Sequence, residues 1–268
     1  MRVGATGKIS LDHIYTRPDP RAYFGTLRDL DYHIPELAKP HFQRLIAEYR
    51  EARGVPVPTV LDIGCSYGIN AVLVKYGATM AGLYDRYGGR DAHRHTRESL
   101  LARDRELVRS AGRGNPVRFL GLDASEEALS YALEAGFLDG AVHADLEHAE
   151  PTDEQRAQLA GADLVISTGC LGYVTERTLA RILGASAGRR PWMAHFVLRM
   201  FPFAPVAATL AAAGYRTVRR DGLFRQRRFA TPQERARVLD RLRAAGLDPG
   251  GLETDGWFYA QLYLSRPV

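Results

Sequence analysis

Apolar residues in this chain fall into short unbroken runs separated by stretches of helical period, and that alternation predicts the elements. The first run, Val60-Leu61-Asp62-Ile63, reads as a buried strand, and Val117 to Leu122, Ala141 to Ala144, Ala162 to Ser167 and Trp192 to Leu198 read as four more. Helices are expected where the period lengthens. Phe42, Leu45, Ile46 and Tyr49 recur at i, i+3, i+4 and i+7, ahead of Gly54 and the Pro56/Pro58 pair. Further helices are expected over Ala71 to Lys75, Ser125 to Ala135 with Gly136 as its stop, Glu176 to Leu183 behind a Thr175 N-cap, and Val206 to Ala213 before Gly214. Two last strands, Tyr215 to Arg219 and Trp257 to Leu264, bracket a helix with a complete start signal in Thr231, Pro232 and Glu234. Repeated β/α units closing on aromatic, alternating strands predict an α/β fold: an open, doubly wound, mainly parallel sheet with helices on both faces and a mixed, antiparallel edge.

Two stretches stand outside that alternation. From Gly4 to Pro40 there is no sustained period, but Tyr15, Tyr23, Phe24, Tyr32 and His33 sit among Pro18, Pro20, Pro35 and Pro40. Short helical turns in a rigid path, forming an N-terminal lid, are expected. From Gly77 to Gly114 the chain is charged and mainly helical, with Leu100, Leu101, Leu107 and Val108 on one face, which reads as an insertion before the second strand. The chain thus divides into a lid with its leading helix, 1–54, and a sheet domain, 55–268, with a helical insertion at about 77–114.

Composition fits one large α/β domain with an appendage: 268 residues, 46% hydrophobic and 25% charged. No apolar run approaches the roughly 20 residues that span a bilayer, and Met1 to Ser10 lacks a signal-peptide core, so a cytoplasmic protein without a membrane partner is expected. Cys65 and Cys170 are too few for a disulfide framework or a zinc site, and reduced thiols and no metal are expected. The net charge of +5 comes from arginines spread over helices and strands, including Arg113 and Arg243. Nucleic-acid binding is permitted by that charge but not indicated. Oligomeric state is left open.

The chemistry centres on Asp62-Ile63-Gly64-Cys65-Ser66-Tyr67-Gly68-Ile69-Asn70, where a buried strand stops at glycine and turns into a helix, presenting backbone N–H groups to a nucleotide-like ligand. Together with Gly121-Leu122-Asp123-Ala124-Ser125-Glu126-Glu127-Ala128-Leu129 and Ala162-Asp163-Leu164-Val165-Ile166-Ser167, in that order, it resembles the class I S-adenosylmethionine-dependent methyltransferases over about 55–268. The resemblance implies a seven-stranded Rossmann-like sheet with S-adenosylmethionine across the carboxyl ends of its first strands. It implies that Asp62, Gly64, Ser66 and Gly68 meet the methionine end, that Asp123 with Ala124 meets the ribose hydroxyls, and that Asp145 meets the adenine amino group with Leu146 on the ring. The segment from Ser167 to Tyr173 would end beside the sulfonium, with Tyr173 as the candidate catalytic residue, through its ring or its hydroxyl. One letter departs from the pattern: Ser66 stands where the family has glycine, and its hydroxyl could donate to the ligand carboxylate. The span from Gly64 to Asp123 far exceeds the roughly 20 residues of the dinucleotide fingerprint, which the insertion explains.

The leading functional reading is a transferase methylating a small molecule, in keeping with secondary metabolism, with Tyr23, Tyr32 and His33 of the lid closing the substrate pocket. His195 reads as a satisfied core histidine. His93 and His95 with Arg90, Arg94 and Arg97, and the group Arg219, Arg220, Arg225, Arg227 and Arg228, read as solvated faces or as sites for an anionic substrate. A macromolecular substrate is disfavoured by the lack of an Asn-Pro-Pro-Tyr type segment and of an RNA-binding motif. Residues 62–70 with 167–173 are also similar to methyltransferase-like azetidine-2-carboxylate synthases, in which the α-amino group of S-adenosylmethionine attacks its own γ-carbon and methylthioadenosine leaves. That chemistry demands an aromatic wall and few carboxylates near the amine. A protein that senses the ligand without turnover is the remaining reading.

Overall fold

The computed structural model describes residues 11–89, 91–112 and 116–268. Residues 1–10 of the lid, and Arg90, Arg113 and Gly114 of the insertion, lie outside the described residues. Five parallel strands form one side of the sheet: β1 (Thr59–Ile63), β2 (Arg118–Asp123), β3 (Gly140–His143), β4 (Leu164–Thr168) and β5 (Trp192–Leu198), in the order β3-β2-β1-β4-β5. The order reverses between β1 and β4, and a crevice at the carboxyl ends of those strands is the usual ligand position in such sheets.

The other side is built from β6 (Tyr215–Arg219), β7 (Phe224–Arg228) and β8 (Trp257–Pro267). This is the mixed, antiparallel edge expected, and within it β8 lies between β5 and β6. Its run Phe258, Ala260 and Leu262 is fully buried, which an edge position would not allow. Both β6 and β7 pair with the far side of β8 and run in line, Tyr215 to Arg219 against Pro267 to Tyr263 and Phe224 to Arg228 against Ala260 to Trp257. Gly222, at φ 101°, interrupts them. Among the described residues, eight strands therefore fill seven positions, the outermost broken in two.

Side-chain parity sorts the helices onto two faces. Val60, Ile166, Ala194 and Phe196 join the core beneath α3 (Ile34–Arg53) and α11 (Pro232–Ala244). Leu61, Ile63, Val165 and Val197 face the other way, toward α9 (Glu176–Ala185) and α10 (Ala204–Ala212). The helix α3 begins well before Phe42: Pro35 sits in its first turn, where no N–H is needed, and Pro40 is carried inside it. The helix α8 (Asp153–Leu159) was not expected, although its capping box, Thr152 with Gln155, stands in the sequence. The expected caps at Thr175 and Thr231 are made, each hydroxyl accepting a backbone N–H of its first turn.

The described part of the segment expected as a lid consists of α1 (Asp12–Tyr15) and α2 (Arg21–Asp29), leading into α3, and it packs on α5 (Met80–Gly88) and α6 (Arg97–Ser110). Phe24 stacks on Tyr87 with ring centroids 4.7 Å apart, and Tyr23 and Leu27 share a core with Leu83, Leu100 and Leu101. Arg21 donates to the carbonyls of Ala92 and His95, Arg97 donates to that of Pro18, and the Tyr84 hydroxyl bonds the carbonyl of Tyr32. The long detour before β2 is thus the support on which the lid is mounted. The remaining helices, α4 (Ile69–Tyr76) and α7 (Glu126–Glu134), follow β1 and β2. Among the described residues, no helix is long and apolar enough to cross a membrane.

Candidate active site

The loop after β1 is held by its own packing. Gly64 has φ 66°, and a Cβ there would sit 2.9 Å from Cys170 Cβ; Gly68 has φ 75°, with Phe137 and Ala132 where its Cβ would point. Both glycines therefore answer first to the interior, while the Gly64 backbone is the one exposed element between Leu61 and Asn70. We expect Gly64→Ala to destabilise the fold by about 1–3 kcal/mol, from the left-handed φ and the contact with Cys170 together. A urea midpoint equal to wild type would contradict that account.

Ser66 also lies in the left-handed region, at φ 50°, where a serine pays a steric cost that glycine does not. Its N–H donates to Asp123 Oδ2 at 2.8 Å, and Ser125 N–H donates to Asp123 Oδ1 at 3.0 Å. One carboxylate at the end of β2 thus ties both loops. Meanwhile the Ser66 hydroxyl is buried and has no hydrogen-bond partner among the described residues. Buried hydroxyls of that kind call for a partner.

Asp62, fully buried on β1, accepts from Asn70 Nδ2 at 3.0 and 3.1 Å, and the same amide donates to Thr168 Oγ1 at 3.2 Å. Burial raises the Tyr32 phenol, and the side chains of Thr168 and Tyr23, which lie beside its hydroxyl, offset part of this. Hydrogen bonds therefore run from Asp62 through Asn70 to Thr168, and Tyr32 and Tyr23 of the N-terminal segment lie next to that end, their rings 6.5 Å apart. The lid is pinned over it: Tyr67 donates to Arg17 O at 2.9 Å, and Ser125 Oγ to Tyr15 O at 2.6 Å. Tyr15, Tyr32 and Tyr67 surround the Tyr23 ring, at centroid distances of 5.6, 6.5 and 5.8 Å.

Burial raises the Asp62 carboxyl to about 8, the Asn70 bond offsets part of this, and Asp123 raises it further. Burial also raises Asp123, against the backbone N–H groups of Ser125, Ser66 and Ala124. Among the described residues neither carboxyl has a lysine or arginine as hydrogen-bond or ion-pair partner. The Tyr15 phenol is raised by burial and by Tyr32, Tyr173 and Asp123, and lowered by Arg227.

Other expected residues are placed differently. Ser167 points to the opposite face of the sheet, its Oγ 2.9 Å from His195 Nδ1, and Thr168 supplies the hydroxyl on the crevice side. His195 is the buried core histidine expected, lowered by burial to about 3. His33 turns away from the crevice, donating to Asp31 O and packing edge-on to Trp257 at 5.7 Å. Its neighbour Tyr32 takes the inward position. Asp145 lies past β3, exposed, bonded to Glu147 N–H and His148, while Leu146 is buried beside it. Ala124 is exposed at the crevice rim and accepts from His143 Nε2 at 3.1 Å. Tyr173 is 45% exposed and packs on Phe201 at 6.4 Å.

Among the arginines left as solvated faces, Arg227 is buried and pairs with Glu234 through bonds of 2.7 and 3.0 Å, and Arg228 pairs with Asp31. Sequence reasoning missed Asn70, Thr168 and Gln226. Asn70 and Thr168 lay inside quoted motifs; Gln226, buried against Gly169 with its Oε1 unpartnered among the described residues, had no signal. Among the described residues, no cluster of three or more His, Cys, Asp or Glu is placed to hold a metal ion, and both cysteines are free.

No family model and no curated protein matches the chain. Among solved structures it is similar to the [4+2]-cyclase SpnF, at 14% identity over 84% of this chain and 81% of that one, with a TM-score of 0.40. It is similar to magnesium protoporphyrin IX methyltransferase (ChlM) from Synechocystis PCC 6803 with bound SAM, at 13% identity over 85% and 79%, TM-score 0.40. A third is the plantazolicin methyltransferase BpumL in complex with SAH, at 11% identity over 84% and 82%, TM-score 0.39. At this level of likeness the site's own residues decide what the chain binds.

Proposed function

We propose that this chain binds S-adenosylmethionine at the carboxyl ends of β1, β2 and β4 and transfers its methyl group to a small molecule. The observation that carries the reading is the pair Asp62, buried on β1, and Asp123, half-buried at the end of β2, neither with a lysine or arginine partner among the described residues. A ligand carrying an ammonium and a sulfonium supplies the missing positive charge. Asp62 and Asn70 would take the amino group, and the unpartnered Ser66 hydroxyl would donate to the carboxylate. Asp123 would take the ribose diol, and Asp145 with Leu146 the adenine. The sulfonium brings an electrophilic methyl group, so this chain's part is to orient it and exclude water. The rings of Tyr15, Tyr23, Tyr32 and Tyr173 suit a cationic sulfur. The lid over the crevice favours a small acceptor, and a cytoplasmic setting fits a ligand made there.

One observation favours the ring-closing reading, in which S-adenosylmethionine is the substrate itself: Asp62, at about 8, matches an α-amino group at about 8 and so could accept its proton, and the aromatic wall is present. A carboxylate beside the ammonium favours its charged form, which cannot attack, and methyl transfer is therefore preferred. The test is incubation of pure protein with S-adenosylmethionine and no acceptor, followed by separation of the adenosine products. We expect no methylthioadenosine above the buffer blank, and adenosylhomocysteine only after a metabolite extract is added. Enzymatic methylthioadenosine in the first incubation would overturn methyl transfer as the sole activity.

A further inference from the structure

On the side of the sheet that carries α3, a concavity lies away from the proposed ligand crevice. Between α3 and the β8–β6 pair lies a groove of about 660 Å³, at the opposite ends of the parallel strands: Trp192 opens β5, and Arg216 lies near the start of β6. None of its lining residues belongs to the crevice. Its origin is local. Alternation along β6 sends Tyr215 into the core shared with α10, and gives Arg216, Val218 and Arg220 to the side that carries α3, where Val218 is 46% exposed.

The groove has an apolar floor and a basic rim. Leu45, Trp192, Leu262 and Leu264 form the floor, and four arginines stand over it against two glutamates. Of the four, Arg266 is engaged: it pairs with Glu48 and lies 4.2 Å over the Trp192 ring. Glu51 is exposed at the rim. Arg44, Arg216 and Arg220 have no side-chain hydrogen-bond or ion-pair partner among the described residues, and Arg44 and Arg220 both act on His41, whose protonation they and burial disfavour. A surface helix and strand ordinarily scatter such arginines into solvent; here three converge on a hydrophobic floor of ligand size, within the roughly 300–1,000 Å³ of small-molecule sites. An extended nucleic-acid strand would need a basic track rather than a bounded hollow.

We propose that this groove is a second ligand site, taking an organic anion with a phosphate or carboxylate head for Arg44, Arg216 and Arg220 and a flat apolar body for the floor. The site is independent of what the crevice binds. Its occupant rests on the middle of α3, the helix that follows Tyr32 and whose His41 ring packs edge-on to Phe196 and Phe224, at 5.8 and 5.1 Å.

The chain has two tryptophans, Trp192 and Trp257, so the indole N–H signals in a ¹H–¹⁵N spectrum report the groove and a distant control, assigned with Trp257→Phe. Titration with 1-naphthyl phosphate or 1-naphthoate is expected to move the Trp192 signal along a saturable curve and leave that of Trp257 in place. Neutral 1-naphthol and inorganic phosphate alone should bind at least tenfold more weakly. Arg216→Ala, an exposed change, should weaken 1-naphthyl phosphate at least tenfold with the Trp257 signal unaltered. Equal binding of 1-naphthol or of inorganic phosphate, equal movement of both indoles, or an Arg216→Ala curve matching wild type would each overturn the proposal.

Discussion

Replacing Asp123 with alanine should weaken S-adenosylmethionine binding at least a hundredfold, about 2.7 kcal/mol, as read by isothermal titration. The size of the effect follows from the two jobs of the carboxylate. It accepts from the N–H groups of Ser66 and Ser125, and it stands where the ribose diol is proposed to lie. Hydrogen bonds to a charged acceptor contribute about 1.5–3 kcal/mol each, and alanine leaves both N–H groups without their acceptor. Ser66, held at φ 50°, then loses its tether and relaxes toward a conformation that serine prefers. Asp123→Asn retains one accepting oxygen and nearly the same volume, so its loss should be about tenfold. Amide hydrogen exchange at Ser66 and Ser125 separates the two jobs: in Asp123→Ala both amides should exchange faster even without ligand. Binding unchanged in Asp123→Ala would place the ligand elsewhere and remove the main support for the proposed function.

How far the sequence could be read depended on what buried each residue. Parallel strands covered on both faces are continuous apolar runs, so β1 to β5 were legible from Val60, Val117, Ala141, Ala162 and Trp192 onward. The strand β7 was not, because its buried members are Gln226 and Arg227, and what buries Arg227 is a pairing with Glu234. Such a partnership has no periodicity. The loop from Asp62 to Asn70 was legible as a site, and Ser66 as its odd letter, but the orientation of that serine depended on Asp123 arriving from β2. Ser167 and Thr168 illustrate a limit of the same kind. Period-2 alternation guarantees that they face opposite ways, while only the register of β4 against β1 and β5 decides which one meets Asn70 and which meets His195. His33 and Tyr32 were resolved likewise, by the packing of Trp257 on one side and Thr168 on the other.

Asp62→Asn should stabilise the ligand-free protein at pH 8 and change it little at pH 4. The wild-type carboxyl moves from an ordinary value of 3.8 to about 8 on folding, because burial penalises its charge. Between those values the folded chain retains a proton that the unfolded chain has released, so stability falls as pH rises through the window, by at most on the order of 5 kcal/mol. Below it both states are protonated and nothing is lost; above it the loss is complete. Asparagine carries no charge in either state, and the difference between the two urea stabilities should therefore grow steadily from pH 4 to pH 8. Ligand binding inverts the preference: a cation beside Asp62 favours the carboxylate, so wild type should bind S-adenosylmethionine more tightly as pH rises from 6 to 8 and release close to one proton at pH 7. The ligand's own amine titrates near 8 as well, but it does so equally for both proteins, and the difference in proton release isolates Asp62. Titration calorimetry in buffers of different ionisation enthalpy counts that proton. Equal counts for wild type and Asp62→Asn would mean that the ligand's positive charge never meets this carboxylate, and the pairing of Asp62 with Asn70 would then be a device of the fold alone.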